Sequence, residues 1–309
     1  MTDWRSSLPE KAWLSLSVVI PAFNSERTVG RAIESAWSSG ANEVIVVDDG
    51  STDGTAAVSR GLRCTLVSQA NKGVSAARRR GVAASTGDVV VLLDADDSLV
   101  AEGVSESTDI LVRRPACALV VGGTRAVAAD GSRRAILPGS REITARDLLD
   151  RGSSVGPPGA VMWRRHALFE ALGPTMPALW PKYAEDYELL IRGTLAGEMA
   201  SHDVISCEYL MFGGKSSQRP EVANQCAEQI RRHYADLAQI QIRQRSDREL
   251  RSLAHVRAGF DRPGSRSAPF RVVHYIFAAL HYPPMVVRWL RARPWKVVQR
   301  LIDRIRAVR

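Results

Sequence analysis

The chain has 309 residues, 45% of them hydrophobic and 24% charged, which is ordinary globular material, enough for one large α/β domain with an appendage or for two modest domains. Its formal charge of +9 lies wholly in the last fifty residues, where eleven Lys and Arg face two Asp and Glu. Four scattered cysteines without a CxxC pair argue against a zinc site or disulfide framework, residues 1–14 lack the apolar run of a signal peptide, and no stretch reaches membrane-spanning length, the nearest (272–290) being broken by His274, His281 and Pro283-Pro284.

The first hundred residues alternate strand and helix. Residues 16–20 read as a strand, and residues 25–38 as a helix with Val29, Ile33, Ala36 and Trp37 at helical spacing and Asn24 or Ser25 as cap. Strands follow at 43–47, 63–68 and 88–93, with helices at 53–60 and 73–84 between them. This alternation implies a mostly parallel sheet with helices on both faces. No GxGxxG follows the first strand, which weakens a dinucleotide-binding reading. Beyond Ser98, residues 116–128 and 133–137 flank Asp130-Gly131 as a hairpin, a Gly/Pro loop fills 152–159, a helix spans 184–195, 222–253 reads as a long polar helix or a helix pair, and a break at Arg262-Pro263-Gly264 separates off the basic tail.

Two acidic clusters follow buried-type strands. Asp48-Asp49 comes after Val44-Ile-Val-Val47, and Asp94-Ala-Asp96-Asp97 after Val89-Val-Val-Leu-Leu93. Both therefore sit at the C-terminal ends of strands, where open α/β sheets place their ligand crevice. Carboxylates crowded there repel one another unless a cation or donors arrive, and a divalent metal carrying a diphosphate suits that need.

Residues 17–97 resemble the family 2 glycosyltransferases. The matching pieces are Ser17-Val-Val-Ile-Pro-Ala-Phe-Asn24 with Glu26, Val47-Asp-Asp-Gly-Ser-Thr-Asp-Gly-Thr55, Asn71-Lys-Gly-Val-Ser-Ala-Ala-Arg78, and Leu93-Asp-Ala-Asp-Asp97. The resemblance implies an inverting enzyme of GT-A fold: an α/β domain, mostly parallel sheet flanked by helices, here with a helical, basic C-terminal extension. It places Pro21, Ala22, Phe23, Asn24 and Glu26 by the nucleotide, Asp49 on the base, and Asn71, Lys72, Gly73 and Arg78 by the nucleotide or diphosphate. Asp94 and Asp96 form a DxD pair holding Mn²⁺ or Mg²⁺ and the ribose, with Asp97 as a third metal contact. Glu185-Asp186 opens the later helix, Asp186 being the implied general base and Glu185 an orienting neighbour. Trp180 and Tyr183 are candidates for stacking on an acceptor sugar, framed with residues 156–159.

The implied reaction moves a sugar from a nucleoside diphosphate, UDP by family habit, to a hydroxyl of a glycan or lipid-linked acceptor. The rivals are a non-catalytic membrane-associated scaffold retaining the fold and a sugar nucleotidyltransferase. One departure stands out: relatives often close the domain with Tyr-Arg and a nearby His, whereas here the stretch is Glu208-Tyr-Leu-Met-Phe-Gly-Gly-Lys215, leaving Lys215 as the cation; His202 lies too early and reads as structural. The expected domains are 1–219 (a donor half at 15–100 and an acceptor half at 101–219) and 220–309. At 294–309, Val298, Leu301, Ile302, Ile305 and Val308 oppose Lys296, Arg300 and Arg304, with Trp289 and Trp295 adjacent. This basic amphipathic tail, 285–309, suits an anionic membrane surface better than nucleic acid, and its competing role is a helix packed on the core. The expected location is cytoplasmic, peripheral on the inner membrane face.

Overall fold

A computed structural model describes residues 13–128, 131–173, 179, 183–211, 219–261 and 282. The described chain divides into two compact units, one running to residue 210 apart from residues 128–130 and 181–184, the other holding those two short segments and residues 211 onward.

The first unit opens with β1 (Leu16–Ala22), α1 (Val29–Ser38), β2 (Glu43–Asp48), α2 (Thr55–Arg60), β3 (Thr65–Ser68), α3 (Val74–Ala84) and β4 (Val89–Leu92). It continues through β5 (Ser98–Leu99), α4 (Ala101–Arg113), β6 (Cys117–Val127), β7 (Arg133–Ile136), α5 (Ala145–Arg151), β8 (Val161–Arg164), α6 (Arg165–Leu172), α7 (Glu185–Ala196) and β9 (Glu198–Leu210). The nine strands form one mixed sheet in the order β3-β2-β1-β4-β8-β6-β9-β5, with β7 paired to β6. β3, β2, β1 and β4 run parallel throughout. β8 enters antiparallel between β4 and β6, and β6 pairs β9 in parallel.

The apolar runs bury as their sequence demands. Every residue of β1 is buried, and Val18, Ile20 and Ala22 share a core cluster with Val29, Ala32, Ile33 and Ala36 of α1, the i, i+3, i+4, i+7 face of that helix. On the other side α3 lies so close that a Cβ at Gly81 would stand 2.2 Å from Val19 Cγ1. The expected hairpin is β6–β7. Residues 222–253 resolve into a helix pair, α8 (Pro220–Leu237) and α9 (Asp247–Asp261), inside the second unit. There Glu228, buried, accepts from Arg231, Arg232 and the Arg245 backbone, and Arg243 makes a two-pronged pair with Glu249.

The start of the first helix needs correction. It begins at Val29, four residues late, because Asn24 takes left-handed backbone (φ 51°) and residues 25–28 form a turn, the Thr28 and Val29 amides donating to the Ser25 carbonyl. Neither Asn24 nor Ser25 caps it. The Asn24 side chain instead accepts from the Thr52 amide. Of the four free cysteines, Cys117 and Cys207 are buried as expected, whereas Cys64 and Cys226 are half-buried. Among the described residues no helix is long and apolar enough to cross a membrane. The basic tail, Trp180 and Lys215 lie outside the described residues.

Candidate active site

The C-terminal ends of β1, β2 and β4 gather the acidic motifs at one edge of the first unit. β2 ends on Asp48, whose Oδ1 accepts from the Ser51 amide at 3.0 Å, a side-chain-closed turn. Gly50 holds that turn with φ 77°, and a Cβ there would stand 2.9 Å from the Asn71 amide nitrogen, so glycine is required both for conformation and for close approach of the 71–73 loop. Asp49, only 4% exposed, binds that loop. Its Oδ1 accepts from Gln69 Nε2 and the Lys72 amide, and its Oδ2 from the Gly73 amide, each at 2.8 Å.

The residues after β1 are partly engaged by the same turn. Pro21 and Ala22 belong to the strand, and the Ala22 carbonyl accepts from the Asp49 amide. Glu26 Oε2 accepts from the Gly54 amide at 2.8 Å. Phe23 is 46% exposed, a free aromatic face at the strand end. Asn71, Lys72 and Gly73 are exposed.

Arg78 of α3 is buried and donates through Nη2 to Asp94 Oδ1 at 2.9 Å. Burial works against its charge, but Asp94, Glu185 and Asp186 outweigh that and raise its pKa, so the start of α7 lies within electrostatic reach of the β4 turn. Arg31 of α1, which no sequence pattern singled out, donates Nη2 to the Asp96 carbonyl, while Ser35 Oγ accepts from the Leu99 amide at 3.0 Å. The acidic turn is thus held from α1 as well as from α3.

Two carboxyls of this turn, Asp96 and Asp97, are forced upward. Burial first, then Asp94 and Asp96, push Asp97 up to about 9, and the Leu210 amide donating to its Oδ1 offsets only part. Burial and Asp94 raise Asp96. Burial also raises Glu185, with Asp186 and Asp94 adding to it against the pull of Arg78. The Asp97 Oδ2 atom and Arg78 Nε are buried without a partner. Among the described residues no three His, Cys, Asp or Glu side chains converge as a ready metal cage.

Asp186 lies on the wall of a small apolar cavity with Leu92, Gly156, Pro158, Trp163 and Leu189, so the Gly/Pro loop and the candidate base share one recess. Ala184, just before this helix, holds φ 64°, a strained position for a non-glycine residue at a site margin. Tyr183 is 8% exposed, so most of its ring is packed. His202 is buried with Nε2 against Ser107 Oγ at 2.8 Å, a structural setting as expected.

Sequence reading missed Gln69 and Arg31. Gln69 lies twenty residues from Asp49, and its amide carried no motif of its own. Arg31 resembled any exposed helix cation.

Comparison with known proteins agrees with this architecture. The succinoglycan biosynthesis protein ExoU of Rhizobium meliloti is 40% identical over 87 residues, 26% of this chain and 25% of that protein. The chain aligns with about a quarter to a third of the length of the curated relatives it matches, 25–35%. The structure of S. aureus TarS 1-349 in complex with UDP-GlcNAc superposes with a TM-score of 0.56 at 17% identity, covering 85% of this chain and 79% of that one. Glucosyl-3-phosphoglycerate synthase from Mycobacterium tuberculosis, solved with Mn²⁺, UDP and glucosyl-3-phosphoglycerate, superposes at 0.50 with 23% identity, covering 75% and 82%. Both likenesses concern the fold, which is the GT-A type α/β fold expected from the motifs. The model of glycosyl transferase family 2 matches residues 17–172, half of the chain, and with the motifs in place at the sheet edge the chain belongs to that family.

Proposed function

We propose that this family member is an inverting transferase that moves a sugar from a nucleoside diphosphate, UDP in particular, to an acceptor hydroxyl. One observation carries it: Asp94, Asp96, Asp97 and Arg78 share an edge with Glu185 and Asp186, and burial holds several of their carboxyls up. TarS with UDP-GlcNAc and the mycobacterial synthase with UDP and Mn²⁺ support the donor class.

The residues fit a divalent cation that arrives with its diphosphate. A buried Asp97 oxygen without a partner and two raised carboxyls favour incoming positive charge, while the lack of a ready cage among the described residues fits a cation that takes one or two carboxylates and completes its shell with phosphate and water. Asp94, Asp96 and Asp97 are the carboxylates from which those one or two ligands would come, and when bound the cation would neutralise the departing diphosphate. Phe23 offers a face to the base, and Asp49 an acceptor oxygen. Arg78 orients Asp94 through its Nη2 donor. Asp186 takes the proton from the acceptor hydroxyl as that oxygen bonds to the anomeric carbon. The bond from that carbon to the diphosphate oxygen breaks on the opposite face, and its electron pair leaves with the diphosphate, so an α-linked donor gives a β-linked product.

The acceptor we favour is a glycan or lipid-linked hydroxyl presented at an anionic membrane surface, which the basic 285–309 tail suits. Two measurements test the chemistry. A thermal-shift panel of nucleotide sugars should show a shift that needs Mn²⁺ and vanishes in Asp96→Ala. Asp186→Asn should keep donor binding and lose transfer by about 10²- to 10⁴-fold. Full transfer by that variant would remove Asp186 from the mechanism.

A further inference from the structure

Resting on the base-reading role of Asp49, we infer that Gln69 selects the base by occupying one of the carboxylate's acceptor positions. An ionised carboxylate accepts along about four in-plane lone-pair directions. Gln69 Nε2, the Lys72 amide and the Gly73 amide take three, two of them on Oδ1 and one on Oδ2. One direction on Oδ2 is left for a ligand.

The amide orientation of Gln69 is forced by chemistry. A carboxylate only accepts, so the NH₂ end must face it. The backbone that carries this amide is fixed as well: the Gln69 amide donates to the Asp48 carbonyl at 2.9 Å, directly after β3. The two backbone donors are set by the loop and cannot be edited by a side chain. Among the described residues, Gln69 is therefore the one side chain that sets how many donors Asp49 can still receive.

A single open position matches a base with one imino N–H, as in uracil or thymine. Guanine presents an imino N–H beside an amino group, and a carboxylate reads it with both oxygens at once. With Gln69 and Lys72 on Oδ1, that second position is taken, and the guanine amino group would be left unpaired on entering the site. Removing the Gln69 donor reopens Oδ1. The carboxylate then accommodates two donors side by side, and discrimination against guanine falls. Gln69 is thus a specificity-determining residue acting through Asp49.

The test measures UDP and GDP dissociation constants, with Mn²⁺ present, on the full chain. The variants are Gln69→Met, which holds the volume and removes the donor, and Gln69→Leu, which removes it with a different shape should the first fail to fold. A good two-pronged contact discriminates by about 10- to 100-fold. The wild type should prefer UDP by at least that, and both variants should shrink the ratio by about ten-fold or more, chiefly through tighter GDP binding. Asp49→Ala should flatten the ratio. An unchanged ratio in the folded Gln69 variants, with Asp49→Ala still flattening it, overturns the role of Gln69 alone. No base preference in the wild type, or one that Asp49→Ala leaves intact, overturns the base-reading role of Asp49 on which it stands.

Discussion

Glu43 and Asp88 at one edge of the parallel half-sheet, and Asp96 and Asp97 at the other, are carboxylates treated in opposite ways. At the N-terminal edge, Glu43 accepts from Ser17 Oγ, Thr86 through both amide and hydroxyl, and the Gly87 amide. Burial pushes its carboxyl up, yet these donors outweigh burial and hold it below the usual range. Asp88 beside it is lowered by the Ser15 hydroxyl and amide. At the C-terminal edge Asp96, Asp97 and Glu185 are all raised, and one Asp97 oxygen has no partner. The same side-chain chemistry stitches strands together at one end and leaves an Asp97 oxygen without a partner at the other. Burial and neighbouring acids raise one set, and the hydroxyl and amide donors gathered around the other lower it; that balance makes the difference.

Breaking the stitched edge should have the largest effect on stability. Glu43→Ala leaves the Ser17, Thr86 and Gly87 donors without their acceptor and should cost about 2 kcal/mol or more in urea unfolding. Arg78→Met comes next: it strands Asp94 beside two other acids and should lower both the melting temperature and the affinity for UDP with Mn²⁺, by more than its loss of volume explains. A smaller loss, about 1 kcal/mol, is expected for Asp88→Asn, whose partners at Ser15 are solvent-accessible.

The pH dependence separates the edges by sign. Glu43 and Asp88 have folded pKa values below their unfolded ones, so they add stability above about pH 4 that is lost as acid protonates the folded form. Asp97 has a folded value of about 9 against an unfolded value near 3.8. The metal-free protein therefore binds a proton there that the unfolded chain has released, and this group lowers stability progressively as pH climbs through that window. Asp97→Asn should flatten that decline between about pH 4 and 9 without Mn²⁺ and weaken the Mn²⁺-dependent shift. An unaltered pH profile would show that Asp97 is not held protonated. The smallest effect is expected for Arg31→Ala, under 1 kcal/mol on folding, read instead as weaker Mn²⁺ response because the Asp96 carbonyl loses its donor.

Much of the fold was legible because its strands are short β-branched runs with acids or glycines at their ends. β2, β4 and the β6–β7 hairpin fall within a residue or two of the expected bounds. The start of α1 was not legible, because the left-handed backbone at Asn24 is stabilised by Thr52, a residue on another loop. Nor was the entry of β8 between β4 and β6 written in either neighbour, since antiparallel and parallel partners present the same apolar alternation. At the site, the acids could be seen as motifs, but Gln69 and Arg31 act through single hydrogen bonds across 20 and 65 residues of chain. Local pattern carries no trace of such contacts.

The missing side chain at Gly81 reaches further than its own neighbourhood. A methyl at this position would wedge between helix and strand against Val19 and Val47, prising the cylinder outward. The guanidinium of Arg78 rides one turn earlier on that same cylinder, so the displacement would be delivered to the acid it grips. An alanine at 81, outside the acidic turns, would thereby shift the site at a distance: a hydrogen atom in the interior works as the shim that sets its aim.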